Sequence, residues 1–485
     1  MDDSSSSVTT ITGSPAGSGI SESDVAGIDR DHPLPPEIWL LISQHLPSDD
    51  SSPLHNLILA NKSFRGLLQP LLFTNFDLHL LASFKSDGGV KYFQSCTYQR
   101  RSLARLDFFS SPRLASHVRS IHLRTTTVGH AQSGVVHSID PKALLYPLME
   151  KLSQFSRLES LSVLFWPIDG FVIRHLFTTT SLTSLSIQVH PDSSPPDHAD
   201  LDAIGQTSFR LKDLTIGLGF KLTGILSHPW WSRLLSPALH SIELTNIGAA
   251  DRFLSHLASH AHPSASLPSL RLLKISNPPP KYLSHIFREC PALETLEISA
   301  GVLRVAQMGD VSLIPNGTVP NLTSIRGPWP YMKAYLNHPS IRKLHFALRR
   351  SLALPQLEIV HSLRPELTTV QLDLMDLYGS RFTEIATLVL SKFRSLENFI
   401  LSVFAPITQE DIEKIRDLFF NPSELDPAPT LRTVHIAAAD ADFLSSSSDA
   451  ITPEAISLFR EKCPLLTMLR LSSSNRCFEW SRVRC

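Results

Sequence analysis

Residues 290–299 read CPALETLEIS, and this stretch decides the fold. Leu293, Leu296 and Ile298 occupy the first, fourth and sixth positions of a pattern whose second, third and fifth positions are polar. Alternation of apolar and polar residues is typical of a short strand that buries one face. The stretch therefore predicts a strand with its apolar side chains turned inward.

The same apolar-x-x-apolar-x-apolar pattern recurs along the chain. Eight of the twelve intervals between its copies lie between 23 and 31 residues, and this even spacing carries more weight than any one match. The copy at Leu322 is imperfect because Gly327 stands at its third apolar point. The thirteen copies begin at Val118, Leu158, Leu182, Leu211, Leu239, Leu270, Leu293, Leu322, Ile341, Leu367, Leu396, Leu431 and Leu466.

A strand followed by a helix or turn every 20–29 residues is the signature of leucine-rich repeats. Cys290-Pro291 and Cys463-Pro464 resemble the lead-in of the repeats found in F-box proteins. Each unit buries its apolar face only against its neighbours, so the array should stack into a solenoid with a strand-lined concave side. Asn246 and Asn277 are each displaced by one position from the asparagine expected after the strand, so a full asparagine ladder cannot form.

A different pattern opens the chain. Residues 34–38 read LPPEI, and apolar residues continue at helical spacing to Leu46. A second apolar run, from Leu54 to Leu68, ends at Pro70. The first segment resembles the opening of the F-box motif, and residues 57–65, LILANKSFR, resemble its second helix, with Asn61 and Phe64 departing from the usual residues.

The F-box resemblance implies a partner, namely the small Skp adaptor of a cullin-RING ubiquitin ligase. A helical hairpin this small cannot bury all its apolar residues by itself, so another surface must cover the excess. The alternative is that the hairpin simply caps the repeat array. The apolar positions that match the motif are Leu34, Pro35, Ile38, Ile42, Leu46, Leu57 and Phe64.

The predicted fold class is α/β, with a small helical F-box followed by an irregular leucine-rich-repeat horseshoe. The Ser- and Gly-rich start of the chain cannot bury enough apolar surface to offset the entropy of ordering. The predicted segments are a disordered tail (1–30), the F-box (31–78), a linker or first cap (79–110), the solenoid (111–475) and a C-terminal tail (476–485).

Composition excludes several function classes. The 485 residues carry 44 Lys+Arg against 45 Asp+Glu, so no global positive field points to nucleic acid. Five scattered cysteines without a CxxC pair indicate neither a disulfide framework nor a zinc site. The N-terminus lacks the features of a signal peptide, and no apolar run is long enough to cross a membrane. We expect a soluble protein of the cytoplasm or nucleus.

Catalytic, metal and cofactor signals are weak throughout the sequence. Gly217-Leu218-Gly219 lacks the third glycine and the helix of a dinucleotide loop. His256 and His260 share a helical spacing, but Leu257 stands where a zinc protease needs Glu. We therefore predict no catalytic residue, no metal and no cofactor. Trp166, Trp230 and Trp231 are predicted to pack in the core.

These patterns together predict an adaptor in which the F-box docks to the ligase and the solenoid captures a protein substrate. The alternative is a non-catalytic repeat scaffold unrelated to ubiquitination. The side chains that flank the buried strand positions should line the concave face, and their mixed charges favour a polar protein epitope. The candidates for substrate binding are Gln188, Glu243, Lys274, Glu297, His345, Gln371, Asp373, His435 and Arg470.

Overall fold

The computed structural model separates the chain into two units, residues 1–72 and 73–485. The first unit contributes four described residues, so the F-box positions Leu34 to Phe64 lie outside the described part of the chain. The structure describes residues 68, 70–84, 90–94, 96–127, 137–190, 193–194, 196–197, 210–218, 229–245, 250–251, 253–255, 266–276, 278, 286, 288–299, 320–328, 331–332, 335, 338–349, 360, 363–375, 381–404, 429–438, 457, 461–473 and 477–481.

Each of the thirteen pattern copies opens a strand, as the spacing predicted. The first apolar residue of every copy is buried and lies two positions before its strand begins. The strands are β1 (Asn75–Phe84), β2 (Val90–Gln94), β3 (Ser120–Thr127), β4 (His137–Ser138), β5 (Ser160–Trp166), β6 (Ser184–Val189), β7 (Asp213–Leu218), β8 (Ser241–Leu244), β9 (Leu272–Ser276), β10 (Thr295–Ser299), β11 (Ser324–Pro328), β12 (Lys343–Arg349), β13 (Thr369–Met375), β14 (Asn398–Val403), β15 (Thr433–Ala438), β16 (Met468–Ser473) and β17 (Cys477–Ser481).

These seventeen strands of the described residues form one sheet. Their pairings run β4, β2, β1, β3 and then β5 to β17 in chain order. Strands β1, β3 and β5 to β16 are parallel, whereas β2 and β17 are antiparallel to their neighbours and lie towards opposite ends. The chain thus carries a repeat array of the leucine-rich type, in which sequential units pair side by side.

A backbone ladder joins each unit to the next just before the strands begin. The Glu159 carbonyl accepts the N–H groups of both Thr183 and Ser184, at 2.8 and 2.9 Å. A carbonyl oxygen has two lone pairs, so one oxygen can accept both donors. This strand-start ladder repeats at thirteen carbonyls: Thr74, Arg119, Glu159, Thr183, Lys212, His240, Arg271, Glu294, Thr323, Arg342, Thr368, Glu397 and Arg432.

Side-chain hydrogen bonds and ion pairs also join neighbouring units, but the ladder itself is formed by main-chain atoms. Threonine hydroxyls at four of these positions donate to the carbonyl of the preceding unit, for example Thr467 to Arg432 at 3.0 Å. Exposed ion pairs, such as Arg271–Glu294 at 3.7 Å, join other neighbours and contribute little stability in solvent. The main-chain bonds therefore supply most of the continuity, and they do not require a fixed residue type.

The core lies on the face of the sheet that carries the predicted apolar residues. Its buried residues form one contiguous cluster from Phe76 to Leu469. Trp166 and Trp230 are buried within it, which confirms their prediction as core residues, while the Trp231 side chain lies outside the described part. The described helices are α1 (Cys96–Phe109), α2 (Lys142–Lys151), α3 (Gly170–Phe177) and α4 (Arg381–Lys392), with short 3₁₀ turns at Ala115–His117, Leu152–Gln154 and Pro229–Leu234.

Helices α2 and α3 show how the units cover the sheet. Each buries an apolar stripe, which in α3 includes Ile173 and Phe177. The Asp169 carboxylate caps α3 by accepting the Val172 N–H at 3.2 Å, and it also accepts a hydrogen bond from the Lys142 ammonium at 2.8 Å. One carboxylate therefore starts one helix and ties it to the previous one.

The sheet extends beyond the predicted limits of the solenoid. Strand β1 begins inside the range assigned to the F-box and, with β2 and α1, occupies the predicted linker at 79–110. Strand β17 lies in the predicted C-terminal tail. Strand β1 carries a further copy of the three-point pattern, Phe73, Phe76 and Leu78, whose first residue again lies two positions before the strand. Strand β17 lacks the pattern and pairs antiparallel with β16.

Gly327 marks the one copy whose third apolar point is missing. A Cβ atom there would lie 3.0 Å from the Ile298 carbonyl oxygen and 3.2 Å from the Met332 methyl carbon. The Met332 side chain is fully buried beside this position. The glycine therefore reflects a space already filled by Ile298 of the preceding unit and by Met332 of its own unit.

We predict that Leu296→Ala destabilises the chain by about 2–5 kcal/mol, because it removes buried methyl groups and leaves a cavity. The adjacent Glu297→Ala, which loses one partly exposed ion pair, should cost under about 1 kcal/mol. Urea unfolding of both variants beside the parent measures the difference. Equal losses would contradict the assignment of the two faces.

Restoring the repeat pattern at residue 327 should harm the protein. Gly327→Leu is expected to destabilise it by about 1–3 kcal/mol, because the new side chain must displace Ile298 and Met332. Arg326→Leu is the matched control, since it adds the same side chain one position away on the exposed face. A higher thermal midpoint for Gly327→Leu than for the parent would show that the site is underpacked.

Candidate functional site

The face opposite the core presents one side chain from each parallel strand in a continuous row, and every member except Ile400 is polar. The row occupies the fifth position of each pattern copy, between the two buried strand residues. Register pairs join its members across every junction, as in Glu243–Lys274–Glu297. This central row comprises Asp77, His122, Ser162, Ser186, Thr215, Glu243, Lys274, Glu297, Arg326, His345, Gln371, Ile400, His435 and Arg470.

The structure brings the predicted substrate-binding residues together on this polar face. Gln188 and Asp373 lie one step further along their strands, in the next row. The other seven, Glu243, Lys274, Glu297, His345, Gln371, His435 and Arg470, belong to the central row itself. Their role in binding stays a prediction.

Sequence reasoning missed the other members of the row, among them Arg326 and Ile400. Arg326 sits in the imperfect Leu322 copy, and Ile400 is apolar and so did not register as a polar candidate. Counting to the fifth position of every copy would have found both. Ile400 is the single aliphatic residue among the described members of the central row.

Strands β8 to β10 carry a self-neutralising charge ladder. The Lys274 ammonium lies 3.5 Å from the Glu297 carboxylate and is in register with Glu243 on its other side. Opposite charges directly across strands stabilise a sheet modestly. Because these groups face one another, they offer a partner less net charge than their number suggests.

A compact polar cluster follows on strands β12 to β14. His345 Nε2 lies 2.6 Å from an Asp373 carboxylate oxygen, with both side chains mostly buried. Burial alone would raise the pKa of Asp373, but hydrogen bonds from His345, Gln371 and Ser402 together hold that pKa below its ordinary value. The carboxylate is therefore kept ionised by its neighbours.

Nearby on the same face, His435 Nε2 lies 3.0 Å from the Ser472 hydroxyl. The two histidines thus have separate partners on separate strands. Within the described residues no serine, threonine or cysteine hydrogen-bonds to His345, so the His345–Asp373 pair lacks an adjacent nucleophile. The arrangement suits binding by hydrogen bonds and charge.

The buried Cys290 side chain does not supply a reactive thiolate. Burial raises the pKa of the Cys290 thiol to about 12, with a smaller contribution from Glu289, and Cys463 is buried as well. A thiol with so high a pKa stays protonated and weakly nucleophilic at neutral pH. Across the described ranges no group of three or more His, Cys, Asp or Glu could hold a metal ion. His256, His260 and His262 lie outside them.

No protein-family model matches the sequence, and neither does any curated protein. Among solved structures, an internalin (InlF) of Listeria monocytogenes is 13% identical, with 70% of this chain and 80% of that chain covered and a TM-score of 0.25. TLR13 in complex with ssRNA13 is 14% identical, with 67% and 48% covered and a TM-score of 0.29. Internalin C2 of Listeria monocytogenes is 13% identical, with 65% and 83% covered and a TM-score of 0.17. Because these TM-scores and identities are low, the repeat fold rests on the strand pairings described above and not on the comparisons.

No described helix combines the length and apolarity that crossing a bilayer requires.

We predict that His345→Ala raises the pKa of Asp373, because the carboxylate loses both the hydrogen bond and the favourable electrostatic interaction from the imidazole while staying partly buried. Carbon-13 labelled aspartate followed by NMR across the acid range measures that pKa. His122→Ala is the control, since His122 lies on the same face but on the distant strand β3. An unchanged Asp373 pKa in His345→Ala would contradict the pairing.

Proposed function

We propose that this chain is a non-catalytic protein-binding scaffold and serves as the substrate-recognition subunit of an SCF-type cullin-RING ubiquitin ligase. The repeat sheet supports the first part, because its polar face aligns side chains of mixed charge over many strands. Repeat arrays of this kind commonly bind partners through such extended surfaces. The F-box resemblance of residues 31–78 supports the second part.

In this proposal the two ends of the chain have different tasks. The F-box binds the Skp adaptor and through it the cullin, while the polar face holds a protein substrate. The chain itself makes and breaks no bond. Its contribution is effective concentration, because a tethered substrate meets the activated ubiquitin in a nearly intramolecular encounter.

The single observation that carries the ligase role is the LPPEI segment at residues 34–38, followed by a second apolar run that ends at Pro70. An apolar helical hairpin of this size leaves more apolar surface than it can bury alone. The F-box resemblance implies that a partner protein covers this apolar surface. Burial by the chain itself would instead favour the alternative of a scaffold unrelated to ubiquitination.

We predict that the purified chain binds a purified Skp adaptor and that Leu34→Ala with Pro35→Ala reduces this binding at least tenfold. Truncation of apolar anchors at an interface typically has effects of this size. Binding is measured by titration of the adaptor in solution.

Pro464→Ala with Leu465→Ala is the matched control, because this Pro-Leu pair is exposed on the repeat unit of β16. The control should bind the adaptor like the parent, and both double variants should keep the thermal midpoint of the repeat array. Absence of adaptor binding by the parent would reject the ligase role and leave the scaffold alternative.

A further inference from the structure

Helix α1 has the largest net positive charge among the described helices. Its sequence, CTYQRRSLARLDFF, contains Arg100, Arg101 and Arg105 against a single acid, Asp107. No acidic residue lies in its first turn, where acids usually stabilise a helix. The whole chain has a formal net charge of -1, so this helix departs locally from a balanced composition.

Two of these arginines share one exposed face with an aromatic side chain. Arg101, Arg105 and Phe108 are four and three residues apart, a spacing that places side chains on the same side of a helix. All three are exposed, and Phe108 is 53% exposed. Leu106 and Phe109, on the other side, are buried. Seven residues of helix span roughly 10 Å, so Arg101, Arg105 and Phe108 form one compact basic aromatic patch.

Neighbouring acids do not neutralise the basic aromatic patch. Asp107 pairs with Lys151 on α2, so the carboxylate turns towards the next helix, which itself carries two lysines and one glutamate. Asp77 points to the opposite face of the sheet, since the residue before it contacts α1. Within the described ranges, no ion pair engages Arg101 or Arg105. The patch therefore keeps an excess of positive charge.

The aromatic side chain of the patch is held in place by its neighbours. The Phe108 ring makes edge contacts with Phe73 and Phe109, with ring centroids 5.7 and 6.0 Å apart. The Arg105 guanidinium lies over the Phe76 ring, 5.7 Å from its centroid. Contacts of both kinds are favourable. Because these side chains are already ordered, they lose little freedom when a partner binds.

The composition of the patch indicates the chemistry of its partner. A fixed aromatic ring beside arginines is typical of the residues that dominate binding energy at protein interfaces. Unpaired positive charge favours an acidic partner and disfavours a basic one. Single-stranded nucleic acid typically stacks on several aromatic rings along a groove. A membrane-surface helix needs an extended apolar face. Among the described side chains of α1, Phe108 is the one exposed large apolar residue, which suits a single apolar side chain of a protein.

We propose that the basic aromatic patch is a second docking surface and binds an acidic segment of a partner protein. The segment packs one apolar side chain against the exposed part of Phe108, while its carboxylates face Arg101 and Arg105. This patch lies on the helical side of the repeat array, whereas the predicted substrate-binding residues lie on the polar face. The inference therefore goes beyond the proposed function and does not depend on the Skp adaptor.

The test titrates the full chain into fluorescent synthetic peptides of about twelve residues and follows their anisotropy. The first set contains several Asp and Glu residues and one Leu, whose position varies. Three matched sets replace the Leu by Ser, every acid by Gln, or every acid by Lys. We expect the best peptide of the first set to bind at least tenfold more tightly than its three counterparts. Its affinity should fall as salt rises, since the arginines are exposed.

A substitution at the aromatic ring assigns this binding to the patch. Phe108→Ser should weaken the best acidic peptide about tenfold, because the apolar side chain of the peptide loses its contact. Phe404→Ser is the matched control, since Phe404 is 52% exposed and follows strand β14, outside the patch. The control should bind the peptide like the parent.

Charge reversal tests the role of the arginines. Arg101→Glu with Arg105→Glu should abolish binding of the acidic peptide and allow its Lys counterpart to bind. Arg342→Glu with Lys343→Glu, which reverses two exposed cations at the start of β12, should bind like the parent. Arg101→Glu alone keeps the contact between Arg105 and Phe76 and should still weaken the acidic peptide at least threefold. Thermal midpoints equal to that of the parent confirm that the variants are folded.

The proposal is overturned if no acidic peptide binds more tightly than its Gln counterpart, or if Phe108→Ser and Arg101→Glu bind the best peptide like the parent. It is overturned equally if a single-stranded oligonucleotide or vesicles containing phosphatidylserine bind the parent more tightly than that peptide and lose this binding in Arg101→Glu. A failed adaptor titration with intact peptide binding would reject the ligase role alone. The reverse result would reject this docking surface alone.

Discussion

The structure depends on the strand-start ladder, in which one carbonyl of each unit accepts two backbone N–H groups from the next. Thirteen consecutive junctions have this geometry, with N–O distances between 2.7 and 3.1 Å. A strand of this short length is not stable alone, so each unit needs its neighbour to satisfy its main-chain groups and to bury its apolar residues. The ladder uses main-chain atoms only, which allows the units to differ widely in sequence.

Because the backbone ladder and the buried residues hold the sheet together, the opposite face of the sheet is available for recognition. The buried residues and the ladder hold the strands in register, and the fifth position of each unit contributes to neither. Its side chains can therefore change without loss of the fold, from serine on β5 to glutamate on β8 and isoleucine on β14. Binding specificity on such a surface follows from which residues occupy consecutive units.

The sequence predicted the repeat array well because each unit is specified locally. Leu158, Leu293 and Leu466 open strands where the spacing placed them, and the same periodicity put the substrate candidates on the polar face. It could not predict the pairing of His345 with Asp373, since residues 28 apart meet only through the register of β12 and β13. Gly327 looked like a defect because the pattern does not show that Ile298 of the preceding unit and Met332 already fill this space. The copy at Phe73, which opens β1, was missed, whereas β17 carries no copy.

Amide hydrogen exchange at residue resolution tests the stacked ladder most directly. Glu294, Thr323 and Arg342 have exposed side chains, yet their N–H groups are hydrogen-bonded to the preceding unit at 2.9 Å. We predict that these amides exchange as slowly as that of the buried Leu296, because all of them open only when neighbouring units separate. Exchange of the three at the rate of an unstructured chain, with Leu296 still protected, would contradict the ladder as the feature that joins the units.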